Sequence, residues 1–181
     1  MHRILTGQIL LILCCMTYLI WWYRGFRPGV HVSRTGGING TLLFITALLV
    51  IAVIMFSLLP GGQAAAKIRP LYIAAAGIAA YAALLLITRF LFDRVVTTEL
   101  ILIVGWTALE MQVINRLNAE KYLSDSRFIV MCGIIAAAFM ISIVLYVAYY
   151  RMKDMWAFYF AMLPLITEAA SMGALVYLVN R

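Results

Sequence analysis

The sequence predicts an all-α fold, a polytopic integral membrane bundle of about six transmembrane helices that forms one domain over residues 1–181. Of the 181 residues, 66% are hydrophobic and 12% are charged, and the mean hydropathy is +1.02. These values lie far outside the range of a soluble domain. Because one crossing takes about 20 apolar residues, the apolar runs fit six spans. They cover residues 5–23, 41–59, 71–92, 97–117, 128–149 and 155–179.

The first span ends in Trp21, Trp22, Tyr23 and Arg24, an aromatic and basic boundary that is typical of a membrane–water interface. No small-residue cleavage site follows the run, so we interpret it as an uncleaved span rather than a signal peptide. The second span, 41–59, carries no charge. This second helix is expected to face lipid over much of its circumference.

The third span, 71–92, is rich in small residues at every helical angle. They are Ala74, Ala75, Ala76, Gly77, Ala79, Ala80, Ala82 and Ala83. Small residues let helix backbones approach closely in lipid. The pattern therefore predicts that span three is the central packing helix of the bundle.

The fourth span, 97–117, is the most polar, and it is either a full span that lines a polar interior or a tilted, partly interfacial helix. We favour the full span.

Spans five and six are separated by the short turn Arg151-Met152-Lys153-Asp154. A connection of this length predicts an antiparallel helix hairpin.

The basic residues give a net charge of +7 but are scattered in ones and twos between the apolar runs. This pattern indicates membrane flanks that contact lipid headgroups, and it argues against nucleic acid as a partner. With the N-terminus inside, 7 of the 14 Lys and Arg residues fall on each side. The positive-inside rule therefore gives no orientation.

Glu168 is the sharpest candidate for a site, because it lies near the midpoint of span six. An ionisable group at that depth costs at least ~2.5 kcal/mol. Pro164 and Ser171 share its helix face, and Pro164 is expected to kink the helix. Two interpretations remain open. One is a substrate, cation or proton site, and the other is a protonated carboxyl group hydrogen-bonded across a helix interface.

Span four carries a second set of candidate residues, which form a stripe along one face of the helix. Glu99, Trp106 and Glu110 are seven and four residues apart, so they fall within about 20° of one helical line. We expect the stripe to point into the same cavity as Glu168. Glu110 is the deeper candidate, whereas Glu99 is expected to be solvated at the interface.

Arg89, Asp93 and Arg94 lie at the turn between spans three and four. They form either an interfacial cap or an anion-binding pair of arginines near the mouth of the cavity. The predicted ligand-binding residues are Glu168, Glu110, Trp106, Ser171, Arg89 and Arg94.

Several chemistries are not supported by the sequence. No Lys lies inside a span, which excludes a retinal Schiff base, and the usual motifs of membrane hydrolases are absent. Cys14, Cys15 and Cys132 lie in apolar runs, and His2 and His31 lie outside the spans. We therefore predict no metal, no cofactor and no catalytic residue, and a non-enzymatic function is favoured.

The leading hypothesis is a small multi-pass membrane transport or ligand-binding protein with a polar cavity around Glu168 and Glu110. The alternatives are an intramembrane enzyme acting on a lipid or prenyl substrate, and a non-catalytic accessory or assembly subunit. The size and six-span plan are similar to those of the substrate-binding membrane subunits of energy-coupling-factor vitamin transporters, a resemblance of architecture that assigns no residues. Membrane lipids, together with a partner membrane protein or a homo-oligomer, are the expected partners, and the bacterial inner membrane is the expected location.

Overall fold

The computed structural model describes residues 2–27, 36–58, 68–92, 98–149, 151–152 and 154–180. Within these ranges the chain forms six helices and no strand, which confirms the predicted all-α class. The helices are α1 His2–Phe26, α2 Gly36–Leu58, α3 Pro70–Phe92, α4 Thr98–Ala119, α5 Asp125–Tyr149 and α6 Asp154–Asn180.

Five helices are long and apolar enough to cross a membrane, and the apolar stretch Gly40–Phe56 in α2 is shorter. Large apolar side chains such as Phe44, Leu71 and Phe90 point out of the bundle. A surface of this kind requires hydrocarbon as the solvent. The architecture is that of a helical membrane bundle, as predicted. The fourth helix qualifies over Glu99–Ala119, which favours a full crossing over an interfacial helix.

The helix α4 lies at the centre of the bundle. It packs against α2, α3, α5 and α6. In the apolar stretch of α4, 56% of the residues are buried, compared with 11% in that of α3. The prediction that span three is central is therefore wrong. Its small residues surround the helix and favour no single face, whereas the polar side chains of α4 must be withdrawn from hydrocarbon.

The other helices form a ring beside α4. The hairpin of α5 and α6 is closely packed, as predicted, and α1 packs against both α2 and α6. The ring therefore runs α2, α1, α6, α5, and α3 packs against α4 outside this ring. A close approach of α3 to α4 is marked by Gly77, where an added Cβ atom would lie 3.2 Å from Ala108 Cβ.

Asn115 of α4 holds the start of α3. Its Nδ2 donates to the Ile68 carbonyl oxygen at 2.6 Å, and its Oδ1 accepts from the Ile68 N–H at 3.2 Å. The Nε2 of Gln112 donates to the Pro70 carbonyl oxygen at 2.9 Å. Asn115 thus satisfies both backbone groups of Ile68, which precedes α3, and Gln112 adds a contact at the first residue of the helix.

The C-terminal end of α4 is closed by a Schellman motif. The Tyr122 N–H donates to the Leu117 carbonyl oxygen at 2.9 Å, and the Lys121 N–H donates to that of Asn118 at 3.0 Å. Lys121 has a φ of 60°, which is the left-handed conformation that this motif requires.

Candidate functional site

The two glutamates at membrane depth are brought together by α4 and α6. The Ser171 hydroxyl on α6 donates to Glu110 Oε2 on α4 at 2.8 Å, and the Thr107 hydroxyl on α4 lies 3.4 Å from Glu168 Oε2 on α6. Both pairs are separated by 61 positions in sequence. The two helices therefore run parallel, and the two contacts lie one helical turn apart, about 4.5 Å along the axis.

A third helix reaches the same place. The Ser142 hydroxyl of α5 lies 3.0 Å from Glu168 Oε1 and 3.2 Å from the Pro164 carbonyl oxygen. Glu168 and Glu110 are both 0% exposed. We call Thr107, Glu110, Ser142, Glu168 and Ser171 the carboxyl cluster.

Every hydroxyl of the carboxyl cluster has one hydrogen and two acceptors within reach. Ser171 Oγ lies 2.8 Å from Glu110 Oε2 and also 2.8 Å from the Glu168 carbonyl oxygen. Thr107 Oγ1 lies 2.8 Å from the Ile103 carbonyl oxygen as well as near Glu168. A hydroxyl can donate to an ionised carboxylate or accept from a protonated one. In the second case it turns its own hydrogen to the helix carbonyl. The carboxyl cluster can therefore hold either protonation state without a change in helix packing.

The negative charge of the carboxyl cluster has no basic partner. In the part of the chain that the structure describes, neither Glu110 nor Glu168 forms an ion pair. Glu110 Oε1 is buried and has no hydrogen-bond partner there. No group of three or more His, Cys, Asp or Glu side chains that could hold a metal ion occurs among the described residues. One oxygen of the site is thus left open to a proton or a ligand.

The structure places the other predicted site residues differently. Trp106 is buried in an apolar cluster with Cys15, Leu109 and Met172, and it lies beside the carboxyl cluster rather than in it. Arg89 is exposed on α3 and contacts neither carboxyl group. Arg94, like Asp93, lies outside the described residues.

Glu99 differs from its prediction as well. It is 3% exposed, and its Oε1 accepts a hydrogen bond of 3.3 Å from the Tyr18 hydroxyl of α1. The expected solvation at the interface is therefore wrong. Tyr18, which contacts this carboxyl group, packs in turn on Trp21 at a centroid distance of 5.3 Å.

Three polar residues of the core were not identified from the sequence. Thr107 and Ser142 contact Glu168, and Gln8 of α1 is 0% exposed. The available signal was a lone polar side chain inside an apolar run, which is the same signal that singled out Glu168. Hydroxyl residues carry it weakly, because they also bond to their own helix backbone.

An apolar groove of about 420 Å³ adjoins the carboxyl cluster on the side of α3. Its lining comes from α3, α4 and α5 together with Ile68, and it includes Thr107, the residue that contacts Glu168. Tyr72 and Ala76 are exposed on its rim. This groove differs from the polar cavity that the sequence predicts, because among the described lining residues only Thr107 and Tyr72 have side-chain oxygens.

The fold and the site define an α-helical integral membrane protein with a carboxyl pair buried in its core. In comparisons with known proteins, no family model, no curated protein and no solved structure matches the chain. Function therefore has to be inferred from the chemistry of the site.

Proposed function

We propose that this chain is a small multi-pass membrane transport protein that binds a proton or a small cation at Glu110 and Glu168. The observation that carries the proposal is the pair of fully buried carboxyl groups, one turn apart, with no basic partner among the described residues. Acidic groups inside membrane segments are expensive and mark ion pathways and proton relays. The hydroxyls around them can donate to an ionised carboxylate or accept from a protonated carboxyl group.

The same geometry argues against the two alternatives. An enzyme with two glutamates and an arginine would need that arginine at the carboxyl groups, and no arginine among the described residues forms an ion pair with either glutamate. An assembly subunit would need only satisfied cross-helix contacts, and Glu110 Oε1 has no partner in the described structure. A site that is held ready for a ligand accounts for both observations.

Transport at this site requires an ion gradient, a partner ATPase or passive flux. A membrane that maintains a proton or sodium gradient, such as the bacterial inner membrane, fits the proposal. Membrane lipids surround the exposed apolar faces of α2 and α3, and a partner protein or a second copy of the chain is part of the same proposal.

The test uses the full chain in liposomes with imposed proton, sodium or potassium gradients and dyes that report internal pH or cation concentration. Wild-type protein is expected to dissipate one of these gradients, and Glu110→Gln and Glu168→Gln are expected to slow the flux at least tenfold. The matched control is Glu120→Gln, because Glu120 lies after α4 and pairs with Arg116 at 2.8 Å. Equal flux from wild type and both glutamine variants would contradict the proposal.

A second candidate, the binding of a lipid or prenyl chain, is favoured by the apolar groove beside Thr107. Ala76→Phe and Ala80→Phe are expected to fill the groove and to release lipid that copurifies with the protein, as measured by native mass spectrometry. Ala83→Phe is the control, since Ala83 is exposed on α3 and does not line the groove. Equal lipid retention by all variants would contradict this candidate.

A further inference from the structure

A second buried polar group lies on α1. Gln8 is 0% exposed, and neither its Oε1 nor its Nε2 has a hydrogen-bond partner in the described part of the chain. A buried amide without partners is costly and rare in native proteins. Gln8 is therefore a second indication of a ligand, independent of the carboxyl groups.

The side of α1 that carries Gln8 faces α4 and α6. Gln8 and Cys15 are seven residues apart, which is close to two turns, so they project from the same side of the helix. The buried cluster that contains Cys15 also contains Leu109 of α4 and Met172 of α6, so this side of α1 packs toward those two helices. Leu109 is adjacent in sequence to Glu110, and Met172 is adjacent to Ser171.

Two side-chain contacts indicate the depth of Gln8, because α1 runs antiparallel to α4 and α6. Tyr18 meets Glu99, and Gln8 lies ten residues before Tyr18 while Glu110 lies eleven residues after Glu99. At 1.5 Å of rise per residue, Gln8 and Glu110 differ in depth by about 1.5 Å.

The second contact gives the same depth. The rings of Trp22 and Phe158 are stacked at a centroid distance of 6.3 Å. Gln8 lies fourteen residues before Trp22, and Met172 lies fourteen residues after Phe158. Gln8 is therefore level with Met172, the residue that follows Ser171.

We propose that Gln8, Glu110 and Ser171 form a binding site for a small monovalent cation such as Na⁺. The free oxygen atoms at this level are Gln8 Oε1 and Glu110 Oε1, both hard ligands that suit an alkali cation. The Gln8 amide is unpartnered at both ends, so it can turn its oxygen toward the ion. Ser171 Oγ, which donates to Glu110 Oε2, has a lone pair to add.

The charge of the site selects a monovalent ion. Glu110 supplies one negative charge, whereas Gln8 and Ser171 are neutral ligands. A divalent ion such as Ca²⁺ takes six to eight oxygen ligands and usually several carboxylates. The inference rests on the proposed role of the carboxyl pair, and it adds α1 as the third wall of the site.

The test measures the thermal unfolding of the full chain in detergent with NaCl, LiCl or KCl, using choline chloride to hold the ionic strength constant. Sodium or lithium is expected to raise the midpoint of wild-type protein with saturation. Gln8→Leu is expected to fold, because it replaces an unpartnered amide by an apolar side chain, and to need at least tenfold more cation. Gln8→Asn, which keeps a shortened amide, gives an intermediate response and serves if Gln8→Leu does not fold.

The control is Gln112→Leu, the same substitution at a half-buried position of α4 whose amide contacts Pro70 rather than the site, and it is expected to respond as wild type does. A Gln8→Leu response equal to that of wild type would overturn the cation site. If, in that case, Glu110→Gln and Glu168→Gln still lost the stabilisation by cation, the proposed function of the two glutamates would stand. No stabilisation of wild type by any of the three cations, relative to choline, would also overturn the cation site.

Discussion

The hydroxyl of Ser171 lies 2.8 Å from Glu110 Oε2 and 2.8 Å from the carbonyl oxygen of Glu168. One small side chain therefore joins a carboxyl group of α4 to the backbone of α6 at the residue that carries the second carboxyl group. In hydrocarbon, polar groups must be satisfied inside the protein. Ser171 meets this requirement for Glu110 Oε2, and Glu110 Oε1 is left open.

The hydrogen bond between Ser171 and Glu110 is expected to contribute modestly to stability. In a double-mutant cycle of Ser171→Ala and Glu110→Gln, we expect a coupling energy of about 0.6 kcal/mol and at most ~1.7 kcal/mol, the range for polar contacts between membrane helices. Denaturant unfolding in mixed micelles measures it. Ser126→Ala, at an exposed position in the first turn of α5, should show no coupling with Glu110→Gln. If the cycle of Ser171→Ala and Glu110→Gln gave no more coupling energy than this control cycle, the result would contradict the observed contact.

Asn115 is expected to determine how firmly the start of α3 is attached. Asn115→Leu removes both bonds to Ile68 and should lower stability by roughly 1–3 kcal/mol, because two backbone groups lose their partner. Asn115→Asp keeps the acceptor for the Ile68 N–H and should have a smaller effect. Amide hydrogen exchange at Ile68 and Tyr72 measures the attachment. Exchange that is unchanged in Asn115→Leu would show that the contact does not hold α3.

Lys121 adopts a backbone conformation that glycine prefers. Its φ of 60° costs an L-residue roughly 1–2 kcal/mol relative to a right-handed conformation. Lys121→Gly is therefore expected to stabilise the protein by about 1 kcal/mol, measured as a shift of the denaturant midpoint. Ser126→Gly, within the first turn of α5, should lower stability because glycine is a poor helix former. A loss of stability in Lys121→Gly would contradict the assigned turn.

The site could be predicted in part because its two carboxyl groups stand out in apolar spans. Glu110, Glu168 and Ser171 were found from depth and helical spacing, and the structure joins Ser171 to Glu110. Gln8 and Asn115 were not found, because their importance depends on which helices become neighbours. That choice is made by packing across the bundle and leaves no periodic signal within one helix.

The position of α3 shows the same limit. Its alanines and Gly77 indicated close packing, but a helix with small residues on all sides can pack through any face. The structure uses one side only, against α4, and leaves Ala74, Ala75 and Ala79 exposed. The polar residues of α4 determined the centre of the bundle, and they were visible in the sequence.

The contact between α3 and α4 yields a final prediction from two glycines. An added Cβ atom at Gly77 would lie 3.2 Å from Ala108 Cβ, whereas at Gly105 it would meet nothing within 4 Å. Gly105→Ala should therefore stabilise α4 by about 0.5–1 kcal/mol through helix propensity alone. Gly77→Ala gains the same propensity but pushes α3 away from α4, so its net effect should be smaller or destabilising.

A larger residue at Gly77 separates packing from propensity. Gly77→Leu is expected to cost about 1–3 kcal/mol, as overpacking does elsewhere, and to widen the distance between α3 and α4. Spin labels on cysteines placed at Ala83 and Ile101, both exposed, report that distance. If Gly77→Ala and Gly105→Ala stabilised the protein equally, with no change in the label distance, α3 would not approach α4 as closely as Gly77 and Ala108 indicate. The apolar groove beside that contact would then have a different shape, because Gly77 and Ala108 both line it.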